Sequence, residues 1–219
     1  MPRPLPHERS RAMRKLFAAL AAGLVLSSCA PIGETKDRPR YLASADVRLE
    51  LPTSLGSGVH IGNGVIITAA HVVRDAKSVI VRNSRGHAQP GEVLWVNTAY
   101  DIAAVAIADP SMFATANVEC RTPSVGEPIT ANGNPAGVEF ITMRGYVSGG
   151  ERLIENFWRK AVVVDLTTMP GMSGGAVYDA DGDVVGITVG GVGAQTGSGL
   201  GLIVPASAVC GLLGRAVTT

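Results

Sequence analysis

Two residues of the chain have the types and the surroundings of an acid–base pair. His71 follows the apolar run that begins at Val65, and the small alanines before it leave room for an imidazole beside the backbone. Asp101 heads the apolar run Ile102–Ile107, where a buried carboxylate is costly unless it is paired. A carboxylate that accepts an imidazole N–H fixes its tautomer. A lone histidine at this position is more often structural than catalytic, and Asp101 alone is compatible with a turn at a strand end.

A third motif supplies a nucleophile. Ser173 lies in the glycine-flanked segment Met-Pro-Gly-Met-Ser-Gly-Gly-Ala-Val, residues 169–177. Glycines on both sides allow a tight turn that exposes the hydroxyl and turns backbone amides outward. The amides of Gly171 and Ser173 are therefore candidates for an oxyanion hole. The order His, Asp, Ser on one β-rich chain predicts covalent acyl transfer, in which His71 deprotonates Ser173.

The composition predicts that strands position these motifs. The chain has 219 residues with 27 Gly and 13 Pro, and Val, Ile and Thr fill its short apolar runs. After Asp46 about a dozen short strands are expected, with a hairpin signal at Gly62-Asn63-Gly64. A turn after His71 and a stretch from Ser207 towards Arg215 are the helices expected. The pattern indicates an all-β fold, either a sandwich or a pair of barrels.

The first 28 residues are typical of an export signal. Basic residues precede an apolar run, residues 16–26, that is too short to span a bilayer and is followed by small residues. The segment Leu26-Ser27-Ser28-Cys29 resembles a bacterial lipobox, which predicts acylation of Cys29; an ordinary signal peptide is the alternative. Ala30 follows where an inner-membrane retention signal would have Asp. We therefore expect a lipid-anchored, periplasm-facing protein of the bacterial envelope, at the outer rather than the inner membrane.

Charge and cysteine content exclude some partners and favour one covalent link. The formal net charge is +1, and the basic residues beyond the signal are scattered, so nucleic-acid binding is not expected. In an oxidising compartment Cys120 and Cys210 favour a disulfide over two buried thiols. The four histidines lack the spacing of metal ligands, so neither a metal nor an organic cofactor is expected.

Taken together, the motifs resemble those of a trypsin-like serine protease of the HtrA (Deg) type, over roughly residues 50–210. Asn132–Gly137 resembles the Gly-Asn-Pro loop of that family, and Gly201–Pro205 resembles its last strand. The resemblance implies two antiparallel β-barrels of the chymotrypsin type, with the active site between them and a short C-terminal helix. The implied division is a lipoprotein signal peptide 1–28, a flexible tether 29–45, an N-terminal barrel 46–117, a C-terminal barrel 118–206 and a C-terminal helix 207–219.

The resemblance also assigns a substrate pocket. Thr167, six residues before Ser173, matches its floor and carries no charge. This implies a preference for small or medium apolar side chains at the residue before the scissile bond. Met172 stands where relatives have Asp or Asn, so activation by insertion of a new N-terminus is not expected. A PDZ domain after the last strand is not expected either. The remaining pocket residues that the resemblance assigns are Val189, Gly190, Gly191 and Leu200.

The sequence thus predicts a serine endopeptidase that hydrolyses peptide bonds of envelope proteins through an acyl-enzyme. Its expected partners are protein or peptide substrates and, through a lipid on Cys29, a membrane; the sequence gives no oligomeric state. One alternative is a lipid-anchored binding or scaffold protein in which a misordered turn at Gly171 leaves the site latent or inactive. Another is an esterase, but the chain lacks the Gly-x-Ser-x-Gly elbow and the βαβ alternation of that class.

Overall fold

A computed structural model of the chain describes residues 45–154, 158–192 and 199–214. The predicted signal segment, Cys29 and nearly all of the tether lie outside these ranges. Within them the chain forms twelve strands, two short helices and one 3₁₀ turn. No helix in the described ranges is long and apolar enough to cross a membrane.

The first six strands close into one antiparallel barrel. Its hydrogen-bonded order is β1-β2-β3-β6-β5-β4, and β4 pairs back onto β1. The predicted hairpin joins β2 to β3, where Gly62, Asn63 and Gly64 all have positive φ and Val65 N–H donates to the Gly62 carbonyl at 2.9 Å. A single helical turn, α1 (Ala70–Val73), follows β3. The strands are β1 (Asp46–Glu50), β2 (Leu55–His60), β3 (Val65–Ala69), β4 (Ser78–Asn83), β5 (Ala88–Asn97) and β6 (Ile102–Ile107).

The last six strands close into a second antiparallel barrel, in the order β10-β11-β12-β9-β8-β7. A 3₁₀ turn, Pro135–Gly137, follows its first strand, and α2 (Ala206–Leu212) follows its last. The helix α2 begins one residue before the expected start at Ser207. The predicted all-β fold of two antiparallel barrels with a short C-terminal helix is confirmed. The strands are β7 (Pro128–Gly133), β8 (Ile141–Ile154), β9 (Trp158–Val164), β10 (Ala176–Tyr178), β11 (Val184–Val192) and β12 (Leu200–Pro205).

Buried polar contacts link the two barrels, and a disulfide joins the segment after the first barrel to the C-terminal helix. The carboxylate of Asp46 in β1 accepts hydrogen bonds from the Asn132 side-chain amide and the Tyr178 hydroxyl, each at 2.7 Å. Both donors belong to the second barrel, so this buried carboxylate joins the barrels with its oxygens satisfied. A disulfide connects Cys120, in the segment between the barrels, to Cys210 in α2, with 5.7 Å between their Cα atoms.

Candidate active site

The strand register brings His71 and Asp101 together. Strand β3 pairs with β6 so that Ala69 lies opposite Ile102, and the residues just beyond these ends therefore meet. The Asp101 carbonyl accepts the Ala70 N–H at 3.0 Å. One carboxylate oxygen of Asp101, Oδ1, accepts the His71 backbone N–H at 2.9 Å, and the other, Oδ2, lies 2.7 Å from His71 Nδ1. With Nδ1 held by the acid, Nε2 is the ring nitrogen left for the cleft.

A third donor reaches the same carboxylate from the second barrel. The indole nitrogen of Trp158, the first residue of β9, donates to Asp101 Oδ2 at 3.0 Å. The Asp101 side chain is 11 % exposed, whereas the His71 side chain is 43 % exposed. The pair therefore consists of a buried, three-times hydrogen-bonded carboxylate and an imidazole that is open to solvent on one side.

The turn that carries Ser173 packs on the first barrel close to His71. The Ser173 carbonyl accepts the Ser57 N–H at 2.8 Å. Gly174 has φ +84°, and a Cβ there would meet the Ser57 carbonyl oxygen, the Thr68 hydroxyl and the backbone of Ala69, which lies two residues before His71. Only glycine fits this close approach. The turn that carries Ser173 therefore packs on the strands β2 and β3, and β3 leads to His71.

The carbonyls around Gly171 and Ser173 show which way their amides point. The Pro170 carbonyl accepts the Ala136 N–H at 2.8 Å, and the Met172 carbonyl accepts the Gly175 N–H at 2.9 Å. The described peptides are all trans, so the N–H of Gly171 and that of Ser173 point away from these contacts. Neither amide donates to another described residue. Two backbone donors beside the serine are therefore left without a described acceptor, and free donors of this kind are what an oxyanion hole requires.

Ser57 fixes the intervening peptide of the turn. Its hydroxyl donates to the Gly171 carbonyl at 2.7 Å and accepts the backbone N–H of Asn134 at 3.0 Å and its side-chain amide at 2.9 Å. Ser57 and Asn134 are each 1 % exposed. Gly171 has φ +97°, and a Cβ there would collide with the Asn134 carbonyl. One buried hydroxyl of the first barrel thus holds a left-handed glycine turn of the second.

Comparison with known sequences agrees with this geometry. Residues 56–187 match the family described as "Trypsin-like peptidase domain". The chain belongs to this family. The matched range contains His71, Asp101, Ser173 and the Ser57 contact that holds the Gly171 turn.

Several proteins similar to this trypsin-like domain are described as DegP-like or HtrA-like serine proteases. The "Probable periplasmic serine endoprotease DegP-like" of Halomonas elongata is 29 % identical over 136 residues, covering 61 % of this chain and 29 % of the relative. A "Serine protease HtrA-like" of Staphylococcus epidermidis is 32 % identical over 160 residues, covering 65 % of this chain and 27 % of the relative. The chain spans less than a third of the length of these curated relatives.

Two solved structures carry the same likeness to the trypsin-like domain. One, described as "HtrA-type protease AlgWS227A with tripeptide", superposes with a TM-score of 0.72 at 25 % identity and covers 78 % of this chain and 60 % of that one. The serine endoprotease from Yersinia pestis gives a TM-score of 0.69 at 26 % identity, over 80 % of this chain and 63 % of that one.

Two depressions flank the catalytic candidates of the trypsin-like domain. One, of about 720 Å³, is lined by His71, Asp101 and Trp158 together with Val96, Thr98 and Val189. The other, of about 660 Å³, lies on the side of Gly171 and is lined by Leu55, Ala136 and Pro170 together with Arg48 and Glu50. No group of three or more metal-ligating side chains occurs in the described ranges.

The predicted pocket residues of the trypsin-like domain have different surroundings. Val189 is buried and lines the cleft beside His71. Gly190 and Gly191 continue the same strand, but Thr167 and Leu200 are exposed. Thr168, which the sequence did not single out, lies against this strand, because its hydroxyl donates to the Gly190 carbonyl at 2.9 Å and occupies the space of a Cβ on Gly191.

Three further positioning residues escaped the sequence reasoning: Ser57, Ala136 and Trp158. Ser57 stands in Gly-Ser-Gly at residues 56–58, a spacing that signals close packing but no partner. Ala136 lies within the Gly-Asn-Pro segment, has φ +50°, and donates its N–H to the Pro170 carbonyl at 2.8 Å. Trp158 follows a polar stretch and gave no signal. Met172 is fully buried among apolar residues of the second barrel.

Proposed function

We propose that this chain is a serine endopeptidase that uses His71, Asp101 and Ser173 in an acyl-enzyme mechanism. One observation carries the proposal: a buried carboxylate holds the imidazole of His71 on the side of the cleft where a glycine turn presents Ser173 and two amides without described acceptors. Acyl transfer needs a base, a nucleophile and fixed donors for the developing oxyanion, and these groups supply all three.

In the proposed reaction His71 Nε2 takes the proton of Ser173 Oγ as the oxygen attacks the carbonyl carbon of the scissile peptide bond. The negative charge moves to the carbonyl oxygen, where the N–H groups of Gly171 and Ser173 stabilise it. His71 then gives its proton to the departing amine, and the C–N bond breaks to leave an ester on Ser173. Water, deprotonated by the same nitrogen, hydrolyses the ester. Asp101 keeps Nδ1 protonated throughout.

For the substrate, we propose proteins or peptides of the bacterial envelope, with a small or medium apolar side chain before the scissile bond. The uncharged Thr167 and Thr168 and the apolar Val189 and Leu200 support this preference, because none of them offers a carboxylate to a basic side chain. A peptide library in which only that position varies would test it. Preferred cleavage after Lys or Arg would contradict it.

Labelling with a fluorophosphonate probe tests the mechanism. Protein made from the full 219-residue sequence is purified in detergent and compared with Ser173→Ala and His71→Ala. As matched controls, Ser84→Ala and His87→Ala remove the same side chains elsewhere. We expect labelling of the wild type and both controls, and loss of labelling in the two site variants. A folded wild type that fails to label and to cleave casein would instead favour a protease-fold binding or scaffold protein.

We further propose that the protein is anchored on the periplasmic side of the envelope, at the outer membrane, through an acylated Cys29. The lipobox-like Leu26-Ser27-Ser28-Cys29 supports this, and the Halomonas elongata relative is named periplasmic. The test compares wild type with Cys29→Ala by membrane fractionation and by incorporation of labelled palmitate. Unchanged membrane association of the variant would contradict the anchor.

A further inference from the structure

We infer that Trp158 is a positioning residue for Asp101, by which the second barrel sets the hydrogen bonding of the acid of the first. The inference rests on the proposed serine-protease function. Its central observation is that the indole N–H and His71 Nδ1 share one oxygen: Asp101 Oδ2 lies 3.0 Å from the first and 2.7 Å from the second. The remaining oxygen, Oδ1, accepts the His71 backbone N–H.

The backbone that carries the indole is fixed by two contacts, so the position of the ring beside the carboxylate is part of the fold. Trp158 pairs with Ile154 across the β8–β9 hairpin, and the next residue, Arg159, donates its N–H across the barrels to the Ala99 carbonyl at 3.1 Å. Ala99 lies two residues before Asp101. The backbone bond therefore fixes the start of β9 against the loop that carries the acid.

A glycine in β11 makes room for the ring. A Cβ placed on Gly190 would lie 3.0 Å from the far edge of the Trp158 ring, closer than side chains normally pack. The indole thus lies over a strand position without a side chain, next to Val189, and both residues line the cleft with His71. A ring in this position, with its backbone fixed, presents its N–H in one direction.

Sharing Oδ2 has a chemical consequence for the base. A donated N–H withdraws negative charge from a carboxylate, so the indole weakens the hold of Asp101 on a protonated His71 and also fixes the rotamer of the acid. Removing the donor while keeping a ring leaves one hydrogen bond fewer on a largely buried carboxylate. The carboxylate then keeps more of its negative charge beside His71 Nδ1, and the acid should be less well aligned.

The test compares Trp158→Phe with Trp95→Phe, which removes the only other tryptophan and lies on β5. The readout is the second-order rate of fluorophosphonate labelling from pH 5 to 9. Because the acid that holds the imidazole is then less well aligned, we expect Trp158→Phe to label about 10-fold more slowly at neutral pH. The acid limb of its profile should move to higher pH, because the carboxylate beside the imidazole keeps more of its negative charge. Trp95→Phe should match wild type.

A double-mutant cycle with Asp101→Asn decides whether Trp158 acts through the acid. If it does, Trp158→Phe adds little to the loss already caused by Asp101→Asn. If the effects of Trp158→Phe and Asp101→Asn on the labelling rate were fully additive, the ring would only pack, and the inference would be overturned. The same conclusion would follow if Trp158→Phe slowed labelling equally at every pH and left the acid limb unmoved. An unchanged labelling rate would also overturn the inference.

One readout is independent of turnover and separates this inference from the proposed function. With ¹⁵N-labelled tryptophan, the two indole N–H signals are assigned by Trp95→Phe, and the Trp158 signal should shift upfield in Asp101→Asn while that of Trp95 does not move. If no fluorophosphonate probe labels the wild-type protein, the proposed function fails. The shift of the Trp158 signal still tests the contact in that case. An unmoved Trp158 signal would refute the contact even in an active enzyme. This measurement does not need the Trp158→Phe variant, so it remains decisive if that variant does not fold.

Discussion

Replacing Ser57 by Ala should damage both the stability of the fold and the oxyanion turn. The change removes one hydroxyl and leaves three buried groups without the partner they have in the structure: the Gly171 carbonyl and the backbone and side-chain N–H groups of Asn134. Alanine fits the space, so packing is kept and the hydrogen bonds alone are tested. The Ser57 backbone N–H still holds the Ser173 carbonyl.

The magnitude follows from the number of groups left unpaired. An unsatisfied buried polar group costs about 1–3 kcal/mol, so three would cost at most about 9 kcal/mol. Local shifts and entry of a water reduce this, and we expect a loss of about 2–4 kcal/mol in the free energy of unfolding. For a domain of this size that lowers Tm by roughly 5–15 °C. Since one oxyanion donor is worth about 10²–10³ in rate, a partly misdirected Gly171 amide should slow acylation at least tenfold.

Urea unfolding followed by tryptophan fluorescence measures the first effect, and fluorophosphonate labelling of the folded variant measures the second. Thr188→Val is the matched control: it also removes a buried hydroxyl beside the turn, but one with no hydrogen-bond partner among the described residues. It should be neutral or slightly stabilising, because the hydroxyl is buried unpaired. If Ser57→Ala lost less than about 1 kcal/mol and labelled at the wild-type rate, the role given to this hydroxyl would be refuted.

Two further changes test the buried Asp46 contact between the barrels and the disulfide. Burial raises the pKa of Asp46 to about 6, partly offset by the hydrogen bonds from Tyr178 and Asn132. Because the pKa is higher in the folded than in the unfolded state, protonation of Asp46 stabilises the fold. This contribution to the free energy of unfolding is full below about pH 4 and is lost as pH rises through 6. Urea unfolding should therefore show a pH dependence of about 2–4 kcal/mol, which Asp46→Asn should lack. Removing the disulfide with Cys120→Ala and Cys210→Ala opens a loop whose ends are 90 residues apart. It should cost about 3–5 kcal/mol in unfolding free energy, and a reductant should destabilise wild type but not the double variant.

The sequence predicts the strands and the chemistry well where local patterns decide them. The run Ile102–Ile107 was expected as a strand and is β6 with the same bounds. The glycines of residues 62–64 predicted a hairpin, because positive φ is a property of those residues themselves. Other strands were harder to delimit: β8 runs on through the polar and glycine residues 148–152, which carry no apolar alternation, because it is paired with β9. Pairing across the sheet overrode the local signal there.

The positioning residues Ser57 and Trp158 could not be predicted from the sequence, for a different reason. The hydroxyl of Ser57 meets the Gly171 carbonyl across 114 residues of chain, and the indole of Trp158 meets Asp101 across 57. Neither contact leaves a periodic pattern, since each depends on how two barrels dock. The same limit explains why Thr168, rather than its neighbour Thr167, lies against β11: adjacent residues differ only in the direction their side chains take.

These contacts run in both directions between the barrels. The first barrel, through Ser57, holds the Gly171 turn that belongs to the second; the second, through Trp158, holds the Asp101 that belongs to the first. Neither barrel alone would therefore present an ordered site, and docking and catalytic competence should be lost together. It follows that weakening the Asp46 contacts should lower labelling in proportion to the loss of docked protein. Labelling that survives separation of the barrels would contradict this coupling.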